Sequence, residues 1–264
     1  QLDIVWRHMT NGQNAVWFMD GTTFVDAASL DTVSDTNWEI VGVDYFSGYT
    51  DQYVDIVWRH ATNGQNAIWF MTGTNIASTA SLTTESDTDW HIVGTGQFNT
   101  DGHADLIWRD YSTGQNAVWF LSSGALSSSG LFQAESDTDW QIVGTGHFNT
   151  NDKIDILWRY NNSGGDNAVW FMNGTNFTSS SLLDEVADLN WKVGGTGDSK
   201  FDTDGDGMGD LWERITFGNL LPDDDGDYDG DGYTNLQEYQ NGTLGTVAEL
   251  QVRISRPQGV SNLP

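Results

Sequence analysis

The chain has 264 residues, a net charge of −28, 38% hydrophobic and 12% aromatic residues, and no cysteine. The charge excludes ordinary phosphate-backbone binding, which needs a basic patch, so no nucleic-acid partner is expected. The missing cysteines exclude disulfides, thiolate metal sites and cysteine nucleophiles, and no apolar run is long enough for a helix to cross a bilayer, so no membrane insertion is expected.

From the first residues, the chain reads as a repeat. The run Asp3-Ile4-Val5-Trp6-Arg7-His8 is followed by Asn11-Gly12 and then by Asn14-Ala15-Val16-Trp17-Phe18-Met19. A short Gly-bearing link between two β-branched, aromatic runs predicts a hairpin. A third, small-residue run follows, and a fourth begins at Trp38. The pattern returns in units starting near 55, 105 and 155, so twelve of the thirteen tryptophans fall into three series: Trp6, Trp58, Trp108, Trp158; Trp17, Trp69, Trp119, Trp170; and Trp38, Trp90, Trp140, Trp191. A beat of roughly 50 residues with four short strands per unit predicts an all-β, four-repeat, β-propeller-like array of four-stranded antiparallel blades over 1–198. Runs such as Val16-Trp17-Phe18-Met19 are apolar on both faces, which suits strands covered by a blade on either side.

The segment Gly94-Thr95-Gly96-Gln97-Phe98-Asn99-Thr100-Asp101-Gly102-His103-Ala104-Asp105 resembles the FG-GAP or VCBS-type repeat of integrin α-chains and of Psathyrella velutina-type lectins. That resemblance implies a propeller with calcium in the loops linking successive units. It nominates Asn99, Asp101 and Asp105 in one loop and Asn149, Asn151 and Asp155 in the next as weak metal ligands. The alternative is that these side chains cap their turns. The loop from Asp44 to Asp55 is two residues longer and off register.

With the family's blade starting at the Trp38-type strand, the chain opens at the second strand of a blade and carries three full blades. A last first-strand, 190–197, has no blade behind it. Closing these two fragments within one chain would seal a four-bladed propeller, the reading the sequence favours. Closing them between chains would give a polymer, because an incomplete sheet templates pairing.

A module of different composition spans 199–242. Thirteen acidic residues lie between Asp198 and Glu238, against only Lys200 and Arg214. Asp202, Asp204, Asp206, Met208, Asp210 and Glu213 fit positions 1, 3, 5, 7, 9 and 12 of the EF-hand loop, and Asp227, Asp229, Asp231, Tyr233, Asn235 and Glu238 fit them again 25 residues on. Carboxylates at alternate positions, a glycine for the sharp turn, a backbone carbonyl at position 7 and a bidentate terminal Glu suit Ca2+. Two short helices are expected here. The arrangement resembles thrombospondin type-3 or dockerin-like repeats, which implies a calcium-dependent extracellular module. In the tail, 243–264, Leu250, Val252 and Ile254 alternate with polar residues, predicting a terminal strand able to pack on its own chain or to be donated to a neighbour.

No catalytic constellation stands out, and a non-enzymatic protein is expected. One polar set repeats in every unit: Arg7, Arg59, Arg109 and Arg159, with Gln13, Gln65 and Gln115. It reads either as internal arginines bonding blade carbonyls or as a sugar site repeated per blade. The expectation is a secreted, calcium-binding adhesion protein that recognises glycans, with a structural subunit of an extracellular filament as the rival reading and neighbouring copies of itself as partners.

Overall fold

The computed structural model describes residues 3–20, 22–48, 53–99, 101–149, 151, 153–194, 196, 206–209, 213, 216, 217 and 223–241. The chain divides into two units, Gln1–Phe201 and Asp202–Pro264.

The first unit is a four-bladed, all-β propeller array. Blade 1 contains β1 (Ile4–Arg7), β2 (Asn14–Asp20) and β3 (Thr23–Leu30). Blade 2 contains β4 (Trp38–Asp44), β5 (Asp55–His60), β6 (Asn66–Thr72) and β7 (Asn75–Leu82). Blade 3 contains β8 (Trp90–Gly96), β9 (Asp105–Asp110), β10 (Asn116–Ser122) and β11 (Ala125–Phe132), and blade 4 contains β12 (Trp140–Gly146), β13 (Asp155–Tyr160), β14 (Asn167–Asn173) and β15 (Asn176–Leu183). Each sheet is an antiparallel meander in chain order. Blades 2 to 4 have four strands each; blade 1 has three among the described residues.

Blades stack face to face, and three apolar clusters fill the gaps. Between blades 1 and 2 lie Val5, Val16 and Leu30 against Ile56, Trp58, Ala67, Trp69 and Met71. Val57, Ile68 and Leu82 meet Leu106, Trp108, Trp119 and Leu121 in the next gap, and Ile107, Val118 and Phe132 meet Ile156, Trp158, Ala168 and Met172 in the third. One face of each blade therefore supplies aliphatic side chains and the facing one supplies two tryptophans. The second strands β5 and β9 are buried almost throughout because both their faces lie inside such gaps; β13, also largely buried, turns Ile156 and Trp158 into the third gap.

The inner strands β4, β8 and β12 approach very closely. A Cβ on Gly42, Gly94 or Gly144 would sit 2.6, 2.7 or 2.6 Å from the methyl of Thr95, Thr145 or Thr196, so only glycine fits. The Thr145 hydroxyl donates to the Thr95 carbonyl at 2.6 Å, and the Thr196 hydroxyl donates likewise to the Thr145 carbonyl. The end of the 190–197 segment thus lies beside β12 as β12 lies beside β8. Among the described residues, 191–194 have no strand conformation and β1 pairs only with β2; residues 195 and 197 of the expected closing strand 190–197 lie outside the described residues.

In the second unit, α1 (Asn235–Asn241) is the helix expected after the second acidic loop. Glu213, Thr216 and Phe217 have helical backbone where the first short helix is expected. The tail strand falls outside the described residues.

Candidate metal centre

The second acidic loop is built by its own sequence. Asp227 takes the N–H groups of Gly230 (2.8 Å) and Asp231 (3.1 Å) on one carboxylate oxygen and that of Gly232 (2.9 Å) on the other. Asp229 accepts from the Asp231 N–H at 3.2 Å, and Asp231 from the Tyr233 N–H at 2.9 Å. Gly230 and Gly232 hold φ of 78° and 98°, the left-handed region that lets the chain wrap around the carboxylates. Oxygens of Asp227, Asp229 and Asp231 lie within 4.8 Å of one another, the only such group of three among the described residues. The second oxygen of Asp229 has no hydrogen-bond partner. Glu238, on α1, is fully buried. An all-oxygen, all-anionic donor set at this spacing fits a hard divalent cation of calcium's size.

Asn235 serves otherwise than its loop position suggests. Its amide accepts from the Tyr228 N–H at 3.2 Å and donates to the Asp223 carbonyl at 2.7 Å, bracing the loop against the preceding turn. Tyr233 is exposed. In the first loop, Asp206 takes the Met208 N–H at 2.8 Å, Gly207 has φ of 89°, and Met208 and Glu213 are buried. Asp202, Asp204 and Asp210 lie outside the described residues.

The loops between blades are arranged differently. Asn99 accepts from the Asp101 N–H and Asp101 from the His103 N–H, both at 3.0 Å. Asn149 and Asn151 do the same for Asn151 and Lys153 at 2.9 Å. These are side-chain-capped turns. Asp105 is wholly buried and clamps two elements, taking the Phe98 N–H at 2.9 Å on one oxygen and the Leu121 N–H at 3.0 Å on the other. Asp155 repeats this with Phe148 and Met172. Burial pushes the Asp105 carboxyl up to about 7, although its N–H partners oppose the shift, and burial also raises Asp155. Asn99, Asp101, Asn149 and Asn151 thus cap their turns, and Asp105 and Asp155 each tie a linking loop to the third strand of the blade.

The repeated arginine is internal. Arg109 donates to the Gly114 carbonyl (3.2 Å) and the Asn116 amide oxygen (3.0 Å) through one terminal nitrogen, and to the Glu135 (3.0 Å) and Asp137 (3.3 Å) carbonyls through the other. Arg7, Arg59 and Arg159 make the same four bonds one unit away. Burial lowers the Arg59 and Arg109 pKa, with nearby acids opposing. Three of the four guanidinium groups also lie over a tryptophan of the next blade: Arg7 over Trp58 at 4.9 Å, Arg59 over Trp108 and Arg109 over Trp158 at 4.8 Å. With its terminal nitrogens committed, this arginine offers no sugar site; Gln13, Gln65 and Gln115 are exposed at the hairpin turns. Between blades 2 and 3 there is instead a cleft of about 400 Å3 lined by Trp90, Trp108, Trp119, Glu85 and Leu131. The sequence did not single out Glu85 or this cleft, because the tryptophan series alone does not say which ring edges reach solvent.

The fold is that of a β-propeller protein, and its second unit carries an acidic loop that gathers Asp227, Asp229 and Asp231. No known family profile matches the chain, and no curated protein sequence matches it. Among solved structures it is similar to one described as a nidogen/laminin complex, at 10% identity over 69% of this chain and 61% of that chain, TM-score 0.47. It is also similar to a protein of unknown function from Bacteroides caccae (14% identity, 70% and 57%, TM-score 0.36) and to the Dos1 propeller (11%, 66% and 42%, TM-score 0.38). The chain spans less than two thirds of the length of each of these.

Proposed function

We propose that the chain is a secreted, non-enzymatic, calcium-binding adhesion protein. One observation carries the reading: three carboxylates converge within 4.8 Å on a loop wrapped by left-handed glycines. Residues 227, 229 and 231 with Glu238 would hold the ion, and loops of this kind fill at about 10⁻⁴–10⁻³ M calcium, an extracellular level. Under this reading glycans are recognised at the tryptophan-lined cleft, where half-buried Trp90 offers ring surface to a sugar's C–H face and Glu85 an acceptor to its hydroxyls. Calorimetric titration with calcium tests the metal reading: a Kd at or below the millimolar range is expected, and no heat of binding would sink it. A broad glycan array tests the recognition, with binding lost in Trp90→Ala.

A second reading, a structural subunit sharing strands between copies, is favoured by one specific observation. Among the described residues blade 1 has no inner strand, and residues 190–194 have no partner strand.

A further inference from the structure

The three gaps between blades are one interface built three times, and its two halves recur uncovered on the outer blades. The tryptophan-bearing half is open on blade 1. Trp58, Trp108 and Trp158 are 1–2% exposed beneath their arginines, whereas Trp6, in the same strand position, is 46% exposed. Trp6 already holds the pose of the buried ones, packed on Trp17 with ring centroids 4.8 Å apart, against 4.7, 4.5 and 4.6 Å for the buried pairs. Ile4 and Phe24 extend the apolar surface beside it.

The aliphatic half is open on blade 4. Leu183 is 45% exposed, where its equivalents Leu30 and Leu82 are 8% and 7%. Beside it is a cleft of about 570 Å3 lined by Leu157, Arg159, Val186, Trp191 and Val193. Arg159 keeps its four hydrogen bonds, but unlike Arg7, Arg59 and Arg109 it stacks on no tryptophan among the described residues.

We propose that blade 4 of one chain docks against blade 1 of a second copy, making the interface a fourth time, with Trp6 of the second copy entering the cleft under Arg159. The proposal rests on the structural-subunit reading above and specifies its contact. The same docking supplies the missing strand. Thr196 lies beside β12 where the next inner strand belongs, so residues 191–193 ahead of it pair with β1 of the incoming copy. Blades 2 and 4 fix the register: Trp38 lies opposite His60 and Ile40 opposite Trp58, and Trp140 opposite Tyr160 and Ile142 opposite Trp158. Carried on by one unit, that sets Trp191 opposite His8, Lys192 opposite Arg7 and Val193 opposite Trp6. Since donor and acceptor surfaces differ, the contact is head-to-tail and propagates into filaments or closes into rings of copies. The pair Lys192 and Arg7 is like-charged and weakens the contact, so Lys192→Glu should tighten it.

The native absence of cysteine makes cross-linking a direct test. His8→Cys and Trp191→Cys introduced together in the full chain, then oxidised, should give a ladder of disulfide-linked multimers on a non-reducing gel. Trp6→Ala in that background, with its far-UV circular dichroism unchanged, should cut the multimers at least tenfold. A fast-migrating monomer would mean that the chain closes on itself and would overturn the proposal. If light scattering shows unmutated chains associating while the cysteine pair stays uncrosslinked and Trp6→Ala changes nothing, this interface is wrong but the subunit reading stands. Unmutated chains that stay monomeric at every concentration remove both.

Discussion

Arg109 shows how one side chain joins three layers of this fold. Its guanidinium closes the hairpin turn at Gly114, ties down the return segment at Glu135 and Asp137, and forms a lid over Trp158 of the next blade. Lysine cannot reproduce a planar fork with four acceptors and a stacked face. Arg109→Lys should therefore destabilise the first unit by at least about 3 kcal/mol, the scale of several charge-assisted bonds lost to buried carbonyls, measured by urea unfolding followed through tryptophan fluorescence. Asp105 gives a second prediction, in pH. Its carboxyl titrates near 7 in the fold and near 3.9 in an unfolded chain. Between those values the folded state holds a proton that the unfolded state has released, so this group's stabilising contribution is complete below about pH 4 and is lost as pH rises through 7. Asp105→Asn keeps one acceptor but turns an amide N–H toward the other backbone donor. It should lower stability by about 1–3 kcal/mol and flatten the fall in urea midpoint between pH 4.5 and 7.5; an unchanged slope would put the titration elsewhere.

At the scale of the element, the recurrent unit is a hairpin pinned by its own return loop. Gly114 sits at φ 75°, and a Cβ there would come within 2.1 Å of the Glu135 carbonyl oxygen, which itself accepts from Arg109. Gly114→Ala should cost at least about 2 kcal/mol, more than the strain of a left-handed non-glycine alone, because the blade's return segment must also move; thermal unfolding measures it. Much of this element was legible in the sequence. The Asn-Gly and Thr-Gly turns, the period of the tryptophans and the two-faced apolar runs predict hairpins packed between blades, and the strands fall where those signals lie. Burial was less legible: Ile4-Val5-Trp6-Arg7 and Asp55-Ile56-Val57-Trp58-Arg59 are nearly the same string, yet one lies on an open face and the other in a filled gap. What differs is whether a blade precedes it, which no local pattern encodes. Asn235 misled for a similar reason. Its place in the loop template suggests a ligand position, but an amide can brace a backbone as readily as face an ion, and here the turn at 223–226 supplies the partners.

At the scale of the whole molecule, two units with different sources of stability share one chain. The first is held by apolar gaps and buried arginines. The second gathers acids on short loops with few apolar residues, so a bound cation would supply much of its folding free energy. Twelve of the thirteen tryptophans belong to the repeats and only Trp212 to the second unit, which allows the two to be followed separately. On adding excess chelator, tryptophan fluorescence should barely change, while amide hydrogen exchange across 227–241 should accelerate toward the rates of an unfolded segment. Calcium at a hundredfold its Kd should stabilise the second unit by about 2.7 kcal/mol, the mass-action value for a ligand bound only by the folded state, and leave the first unit's unfolding midpoint where it was. Glu238→Gln removes one negative charge from a buried position on α1 and should erase most of that calcium-dependent gain, with the helix itself preserved because glutamine is as good a helix former. If calcium protected the repeats and the second unit equally, the ion would be acting through the propeller loops after all. The capped turns at Asn99 and Asn149 would then need to open to admit it.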